Sequence, residues 1–113
     1  MSAPDLQQDG PDGRFRLSGA LTFETVPELL DRSRKLLPFE RALEIDLTGV
    51  DRIDSAGLAL LIEWLRLAAA HGQTIAFRQA PAQMRDLARV SGLDGVLPLS
   101  GPDAVQQKEG ASP

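Results

Sequence analysis

Alternating hydrophobic and polar residues mark the strands of this chain. In residues 43–48 (LEIDLT), Leu43, Ile45 and Leu47 alternate with polar positions, which predicts a strand with one buried face. Residues 14–18 and 74–78 show the same alternation. A turn or bulge at Gly19 separates the first of these from a further short strand over residues 20–23, so the two form a hairpin or a bent ribbon. Residues 96–99 are a candidate for one last short strand.

Three helices are predicted from apolar residues at helical spacing and from their end signals. Residues 25–28 (TVPE) have the pattern of a capping box that begins the first helix, and Pro38 ends it. The central helix covers residues 55–71, with Ser55 as its predicted N-cap. The third starts at Pro81 and ends at Gly92, whose following leucine is typical of a Schellman motif.

The order of these elements predicts an α/β fold with a mixed, mostly parallel sheet of four to five strands and about three helices. Strand 43–48, helix 55–71 and strand 74–78 form a right-handed crossover. Every strand keeps one polar face, so we expect all the helices to cover the opposite face of the sheet. Residues 14–99 form one domain, whereas residues 1–13 and 100–113 are polar and are predicted to be disordered tails.

Composition narrows the possible functions. The chain has 113 residues, a net charge of −4 and no cysteine. The acidic balance argues against a nucleic-acid-binding surface, and the lack of cysteine excludes disulfides and thiolate chemistry. No run of 18 apolar residues and no signal-peptide pattern is found, so we expect a cytoplasmic protein without a membrane span.

The residue pattern does not support a catalytic function. The turn into the central helix lacks a glycine-rich phosphate-binding motif. The single histidine, His71, would lie about 24 Å along the helix from Ser55 at about 1.5 Å per residue, too far for a nucleophile–base pair. Asp46, Asp51 and Asp54 can be read as a cation site, but pairing with arginines and solvation of a loop explain them better. The sequence predicts no enzyme, no metal and no cofactor.

The central helix carries the candidate binding surface. Ser55, Ala56 and Gly57 leave its first turn without bulky side chains, so another polypeptide can approach it closely. Leu60, Trp64 and Leu67 form a second apolar ridge. Either a neighbouring helix covers this ridge inside the domain, or the ridge binds a partner through Trp64. The predicted partner-binding residues are Asp54, Ser55, Ala56, Gly57, Leu60, Trp64 and Leu67.

Two segments, DLTGVDRIDSAGLALLIEWLRLA and QMRDLARVSGLDGVLPL, resemble the STAS domain (sulfate transporter and anti-sigma factor antagonist) over about residues 14–99. The RIDSAGLALL motif and the closing VLP are most similar to its MlaB-like branch. The resemblance implies a SpoIIAA-like fold and a non-enzymatic subunit that binds and supports an MlaF-like ATPase. That ATPase belongs to an ABC-type phospholipid transporter with a membrane permease, which maintains outer-membrane lipid asymmetry. The subunit would be cytoplasmic, held at the inner membrane by its partner.

The same resemblance leaves an alternative, an anti-sigma factor antagonist that works as a phosphorylation-dependent partner switch. In those proteins the phosphorylated serine usually stands immediately before the glycine of the motif, where this chain has Ala56. The adjacent hydroxyl is that of Ser55, which matches the serine or threonine at the ATPase contact of MlaB-like members. Ser55 is therefore a candidate both for partner contact and for phosphorylation. An N-cap role is compatible with partner contact, since capping leaves the hydroxyl proton free to donate.

Overall fold

A computed structural model of the chain describes residues 3–101. In it, four strands and three helices follow one another as β1 (Asp5–Gln8), β2 (Arg14–Leu21), α1 (Val26–Leu36), β3 (Leu43–Ile53), α2 (Ser55–Ala69), β4 (Ile75–Arg78) and α3 (Ala82–Val90). The strands lie in the order β1-β2-β3-β4. β2, β3 and β4 are parallel, and β1 is antiparallel to β2. This confirms the predicted α/β class with a mostly parallel sheet.

The two faces of the sheet differ as the alternation predicts. Leu43, Ile45 and Leu47 of β3 are buried in the hydrophobic core, which the helices share. On the other face Glu44 lies between two arginines, with its carboxylate 3.9 Å from Arg14 and 3.7 Å from Arg78. These pairs are exposed and stabilise the fold by no more than about 1 kcal/mol each. They keep the uncovered face of the sheet polar.

The first strand lies in a segment that the sequence predicts to be disordered. β1 occupies residues 5–8, and its Leu6 is buried opposite Leu17 of β2. That prediction is wrong for these residues, because a single apolar side chain in a polar segment gives no periodic signal while β2 offers an open edge to pair with. Residues 1–2 and 102–113 of the predicted tails lie outside the described residues.

Two predicted strand ends are also wrong. Residues 14–21 form one strand, so the separate strand over residues 20–23 is wrong, whereas the bulge predicted at Gly19 is confirmed. β3 continues through Gly49 to Ile53. The register of β2 against β3 shifts on both sides of Ser18–Gly19, which is how a bulge is accommodated without a break. Gly49 faces Ser18, and a Cβ on Gly49 would lie 2.6 Å from the Ser18 Cβ. The glycine therefore permits close strand approach and does not end β3.

The glycines predicted to end α2 and α3 do so, whereas the caps predicted at the starts of α1 and α2 are not formed. Gly72 and Gly92 have φ of 70° and 74°, and the Leu93 N–H donates to the Ala88 carbonyl, as in a Schellman motif. The capping box at Thr25 is not formed. Its hydroxyl instead accepts from the Thr22 N–H at 2.9 Å and donates to the Ala20 carbonyl at 2.8 Å, which fixes the turn before α1. Residues 96–99 contribute one bridge, Phe77 to Leu99, rather than a strand.

Trp64 joins α1 to α2 in the core. Its side chain is fully buried, and its indole N–H donates to the Ser33 hydroxyl on α1 at 2.8 Å. Ser33 in turn donates to the Leu30 carbonyl at 2.7 Å. Leu60 is buried as well, and Leu67 is half-buried against the core. The ridge of Leu60, Trp64 and Leu67 is thus covered within the domain, and its interpretation as a partner surface is wrong.

An ion-pair group lies outside this helix contact. Arg66 donates to the Glu63 carboxylate through Nε at 2.9 Å and through Nη2 at 2.6 Å. Arg34 of α1 lies 3.6 Å from the same carboxylate. The hydrogen bond from Arg66 lowers the pKa of Glu63 below its ordinary value. A carboxylate with a lowered pKa stabilises the fold above its unfolded-state pKa, and this contribution is lost as the pH falls through the lowered value.

Replacing Trp64 with Ala is expected to lower the free energy of unfolding by about 3–5 kcal/mol, because it leaves a large cavity between α1 and α2. Ser33→Ala should cost about 1–3 kcal/mol, since the buried indole N–H then has no acceptor. Urea unfolding followed by circular dichroism measures both. Lys35→Ala, at an exposed position of α1, is the control and should change the stability by less than about 0.5 kcal/mol. Wild-type stability of Trp64→Ala would refute the core role.

Candidate protein-binding site

The candidate site lies where β3 passes into α2. One residue, Asp54, separates the end of the strand from the first helical residue. Its backbone N–H donates to the Leu21 carbonyl at the end of β2, at 3.1 Å. The start of α2 therefore lies beside the turn of residues 22–25 that connects β2 to α1. These two segments form one edge of the domain.

Asp54, and not the predicted Ser55, is the N-cap of α2. One carboxylate oxygen accepts from the N–H groups of Ala56 at 2.8 Å and Gly57 at 3.4 Å, and the other accepts from the Phe23 N–H at 3.2 Å. An ionised carboxylate has enough acceptor sites for all three donors, and its charge is favourable at a helix N-terminus. A carboxylate can accept from both sides, so Asp54 caps α2 and at the same time binds the turn at Phe23.

Ser55 is the first residue of α2, and its side chain is exposed. Since Asp54 caps the helix, the Ser55 hydroxyl makes no hydrogen bond to any other residue in the part of the chain that the structure describes. Ala56 is half-buried, and Ala59, one turn further along, is exposed. The first two turns of α2 thus present a free hydroxyl and small side chains to the outside.

Gly57 faces the opposite way. It is buried, and a Cβ at this position would lie 2.6 Å from the Leu21 carbonyl oxygen and 2.6 Å from Cγ1 of Ile53. The absence of a side chain is therefore needed for α2 to pack against the ends of β2 and β3. Its prediction as a partner-binding residue is wrong, because the space it leaves is filled by its own domain.

Phe23 is a surface residue that the sequence analysis missed. It lies in the turn after β2, and its side chain is 72% exposed. The sequence predicts a strand over residues 20–23, with Phe23 as its last residue. It therefore does not indicate that Phe23 lies in an exposed turn. The available signal in the sequence is weak: a phenylalanine two residues before the predicted start of a helix. The exposed Phe23, Ser55 and Ala59, together with the half-buried Ala56, make up the outer part of the site, which we call the α2 edge.

One buried polar group also lies in this region. The hydroxyl of Thr22 is buried and has no hydrogen-bond partner among the described residues. Its backbone carbonyl, in contrast, accepts from the Thr25 and Val26 N–H groups at 2.9 and 2.8 Å. The turn is therefore held by its backbone and by Thr25, while the Thr22 side chain contributes no hydrogen bond to it.

The groups of the α2 edge are suited to binding. The Asp54 carboxylate is already engaged by three backbone donors, and no histidine or cysteine belongs to the edge. Among residues 3–101 no three carboxylate or histidine side chains are grouped to hold a metal ion. No helix of that range is long and apolar enough to cross a bilayer. What the edge presents is a hydroxyl, small apolar side chains and an exposed aromatic ring, which suit contact with another protein.

Comparison with solved structures places the architecture among anti-sigma factor antagonist folds. A putative anti-sigma factor antagonist from Thermotoga maritima is similar with a TM-score of 0.71 and 14% identity, over 94% of this chain and 92% of that one. The anti-sigma factor antagonist SpoIIAA in its unphosphorylated form gives 0.66 and 17%, over 98% and 100%. The murine anion transporter Slc26a9 gives 0.64 and 15%, over 97% of this chain but 22% of the transporter. At these identities the likeness shows the fold.

The family follows from the sequence itself. Residues 5–99 match the family described as "Mlab, STAS domain". The chain therefore belongs to the STAS domain family, in the branch that carries the MlaB name. The matched segment begins at β1, so the strand that the sequence analysis missed is part of the family's domain. No curated protein matches the chain.

Gly57→Ala tests the inward role of this glycine. Overpacking costs about 1–3 kcal/mol, which exceeds the roughly 0.5–1 kcal/mol that Ala gains over Gly within a helix. We expect a net loss of stability and a lower thermal midpoint, measured by scanning calorimetry. Gly95→Ala is the matched control, since a Cβ there would have no atom within 4 Å, and it should leave the midpoint unchanged. A Gly57→Ala variant as stable as wild type would show that the position has room for a side chain.

Proposed function

We propose that the protein is a non-enzymatic accessory subunit of an ABC-type phospholipid transporter, and that it binds and supports the MlaF-like ATPase subunit of that transporter. The observation that carries the proposal is the exposed α2 edge on a domain of the MlaB branch of the STAS family. The ATPase is held in a complex with a membrane permease. The role is the maintenance of outer-membrane lipid asymmetry.

The site supports a binding role in two respects. The Ser55 hydroxyl is left free by the Asp54 cap, so it can donate to or accept from a partner. The side chains next to it along α2, Ala56 and Ala59, are small enough for the partner backbone to come close. The proposed contact set is therefore Ser55 and Ala56, with Asp54 positioning them, whereas Gly57, Leu60 and Trp64 act inside the domain.

A location follows from the partner. The ATPase of an ABC transporter lies on the cytoplasmic side of the inner membrane, and a subunit bound to it would be peripheral to that membrane. No helix of the described residues is needed for the attachment, because the permease crosses the bilayer. We therefore place the protein in the cytoplasm, at the inner membrane through its ATPase partner.

Ser55→Arg tests the proposed contact. The long charged side chain would project from an exposed position, so we expect a folded domain that no longer co-purifies with the ATPase, with binding weakened at least roughly 100-fold. The cost to the fold is at most about 1 kcal/mol, from a positive charge at a helix N-terminus. Co-purification of the affinity-tagged ATPase and a thermal melt measure the two effects.

Ser91→Arg is the matched control, since Ser91 is an exposed serine at the end of α3, away from the α2 edge. It should bind the ATPase as the wild type does. If Ser55→Arg also co-purifies with the ATPase at wild-type stoichiometry, the α2 edge is not the contact surface.

A second candidate function, an anti-sigma factor antagonist, is favoured by one observation. The free Ser55 hydroxyl lies at a helix N-terminus on an antagonist-like fold, where a kinase could reach it. Phosphorylation would add about −1.5 to −2 charge to the α2 edge and break a packed contact there. Incubation with ATP and an anti-sigma kinase of the same organism, followed by mass spectrometry, tests this function. Phosphate on Ser55, absent from Ser55→Ala, would favour the switch, and its absence would favour the transporter subunit.

A further inference from the structure

We propose that Phe23 is the apolar anchor of the α2 edge, and that the partner receives it in an apolar pocket rimmed by lysine or arginine side chains. This inference rests on the proposed function, because it assigns a residue and a partner chemistry to the same surface. It adds a contact outside the motif segment of β3 and α2. It is carried by the exposure of Phe23, the rigidity of its turn and the charges around it.

Phe23 differs from every other aromatic residue of the chain. The sequence has four phenylalanines and one tryptophan. Phe15, Phe39, Phe77 and Trp64 are all buried, and Phe23 is 72% exposed. A single exposed apolar side chain needs no explanation by itself. An aromatic side chain is nevertheless the residue type that supplies most binding energy when a partner buries it.

The turn that carries Phe23 is already fixed before any partner binds. The Phe23 N–H donates to Asp54, and the Thr25 hydroxyl joins the Thr22 N–H to the Ala20 carbonyl. The Thr25 N–H donates back to the Thr22 carbonyl at 2.9 Å. A backbone held in this way loses little conformational entropy on binding, so more of the free energy of burying the ring appears as affinity.

Asp54 also sets the position of Phe23 relative to Ser55. The same carboxylate binds the Phe23 N–H and the first N–H groups of α2. Phe23 and Ser55 are therefore held on the two sides of one side chain. A partner that covers Ser55 meets the small side chains of α2 there and a projecting aromatic ring beside them. Asp54 is thus a positioning residue for both.

The charges around Phe23 favour a basic partner surface. Glu24 and Glu28 are exposed and make no ion pair among the described residues. Together with Arg32 they line a shallow groove between the start of α1 and residues 3–4. Residues 22–32, and residues 51–54 at the end of β3 and the cap of α2, carry five carboxylates and two guanidinium groups: Glu24, Glu28, Asp31, Asp51, Asp54, Arg32 and Arg52. A partner pocket rimmed by basic side chains complements this net negative charge, and such complementarity speeds association.

Calorimetric titration of the purified MlaF-like ATPase into the full chain tests the anchor. Phe23→Ala should raise the Kd at least about 30-fold, the loss typical of a central hot-spot residue, with no change in the thermal midpoint. Phe23→Leu keeps an apolar side chain and should raise it less than Phe23→Ala. Val90→Ala is the matched control, because Val90 is 81% exposed on α3 and lies outside the α2 edge. Wild-type affinity of Phe23→Ala would overturn the inference.

The basic rim is tested by association rates. The double variant Glu24→Lys and Glu28→Lys should slow association with the ATPase roughly 10-fold at low ionic strength and much less at high ionic strength. Glu40→Lys with Asp94→Lys makes the same change of charge at exposed positions away from the edge, and should have a smaller effect. Equal effects of the two pairs would show that only the net charge of the domain matters, and would refute a local basic rim.

The proposed function and this inference can fail separately. If the wild type binds the ATPase and Phe23→Ala binds equally well, the anchor is wrong and the function stands. If the wild type does not bind the ATPase, the proposed function is wrong. A photo-reactive phenylalanine analogue at position 23, with position 90 as control, then identifies the chain bound in cells. A partner that cross-links at position 23 and is weakened about 30-fold by Phe23→Ala would support the anchor. No cross-link at position 23, or equal affinity, would overturn it.

Discussion

One carboxylate connects the three segments that form the candidate site. Asp54 lies at the single residue between β3 and α2, caps the helix through Ala56 and Gly57, and holds the turn before α1 through Phe23. The first turn of a helix has N–H groups without intrahelical partners, and burying them unpaired would be costly. Because Asp54 accepts from two of them, the Ser55 hydroxyl is not needed as the cap and stays free at the surface. The cap and the candidate site are consequences of the same interaction.

The central helix divides its residues between two tasks. Trp64 and Leu60 belong to the core, where the indole N–H reaches Ser33 across the α1–α2 contact. The first turn carries the exposed Ser55, while Gly57 on its inner side lets the helix lie directly on the ends of β2 and β3. The small residues of this turn therefore have two roles: Ser55 leaves the outer side accessible, and Gly57 permits close packing on the inner side. A partner surface at the start of α2 is compatible with a helix whose middle is fully committed to the fold.

Much of this arrangement could be predicted from local patterns. The alternation in β3 and β4, the glycine ends of α2 and α3, and the polar outer face of the sheet follow from the spacing of side chains along the chain. The short β1 could not, because its only buried apolar residue, Leu6, is fixed by pairing with β2. The ridge through Trp64 was ambiguous for a related reason. An apolar helix face is the same in sequence whether a helix of its own domain or another protein covers it.

By itself the sequence determined the fold class and the family resemblance, since a period of two or 3.6 and a motif are properties of the chain, and it predicts a candidate site at the start of α2. Only the tertiary structure decided which residues of that site face outward. Asp54 rather than Ser55 is the cap, and its carboxylate also accepts from the N–H of Phe23, 31 residues earlier in the chain. Gly57 lies against the ends of two strands, and Phe23 is exposed in a turn that hydrogen bonds to residues 20, 22 and 25 hold in place. Each of these outcomes depends on distant segments brought together by folding.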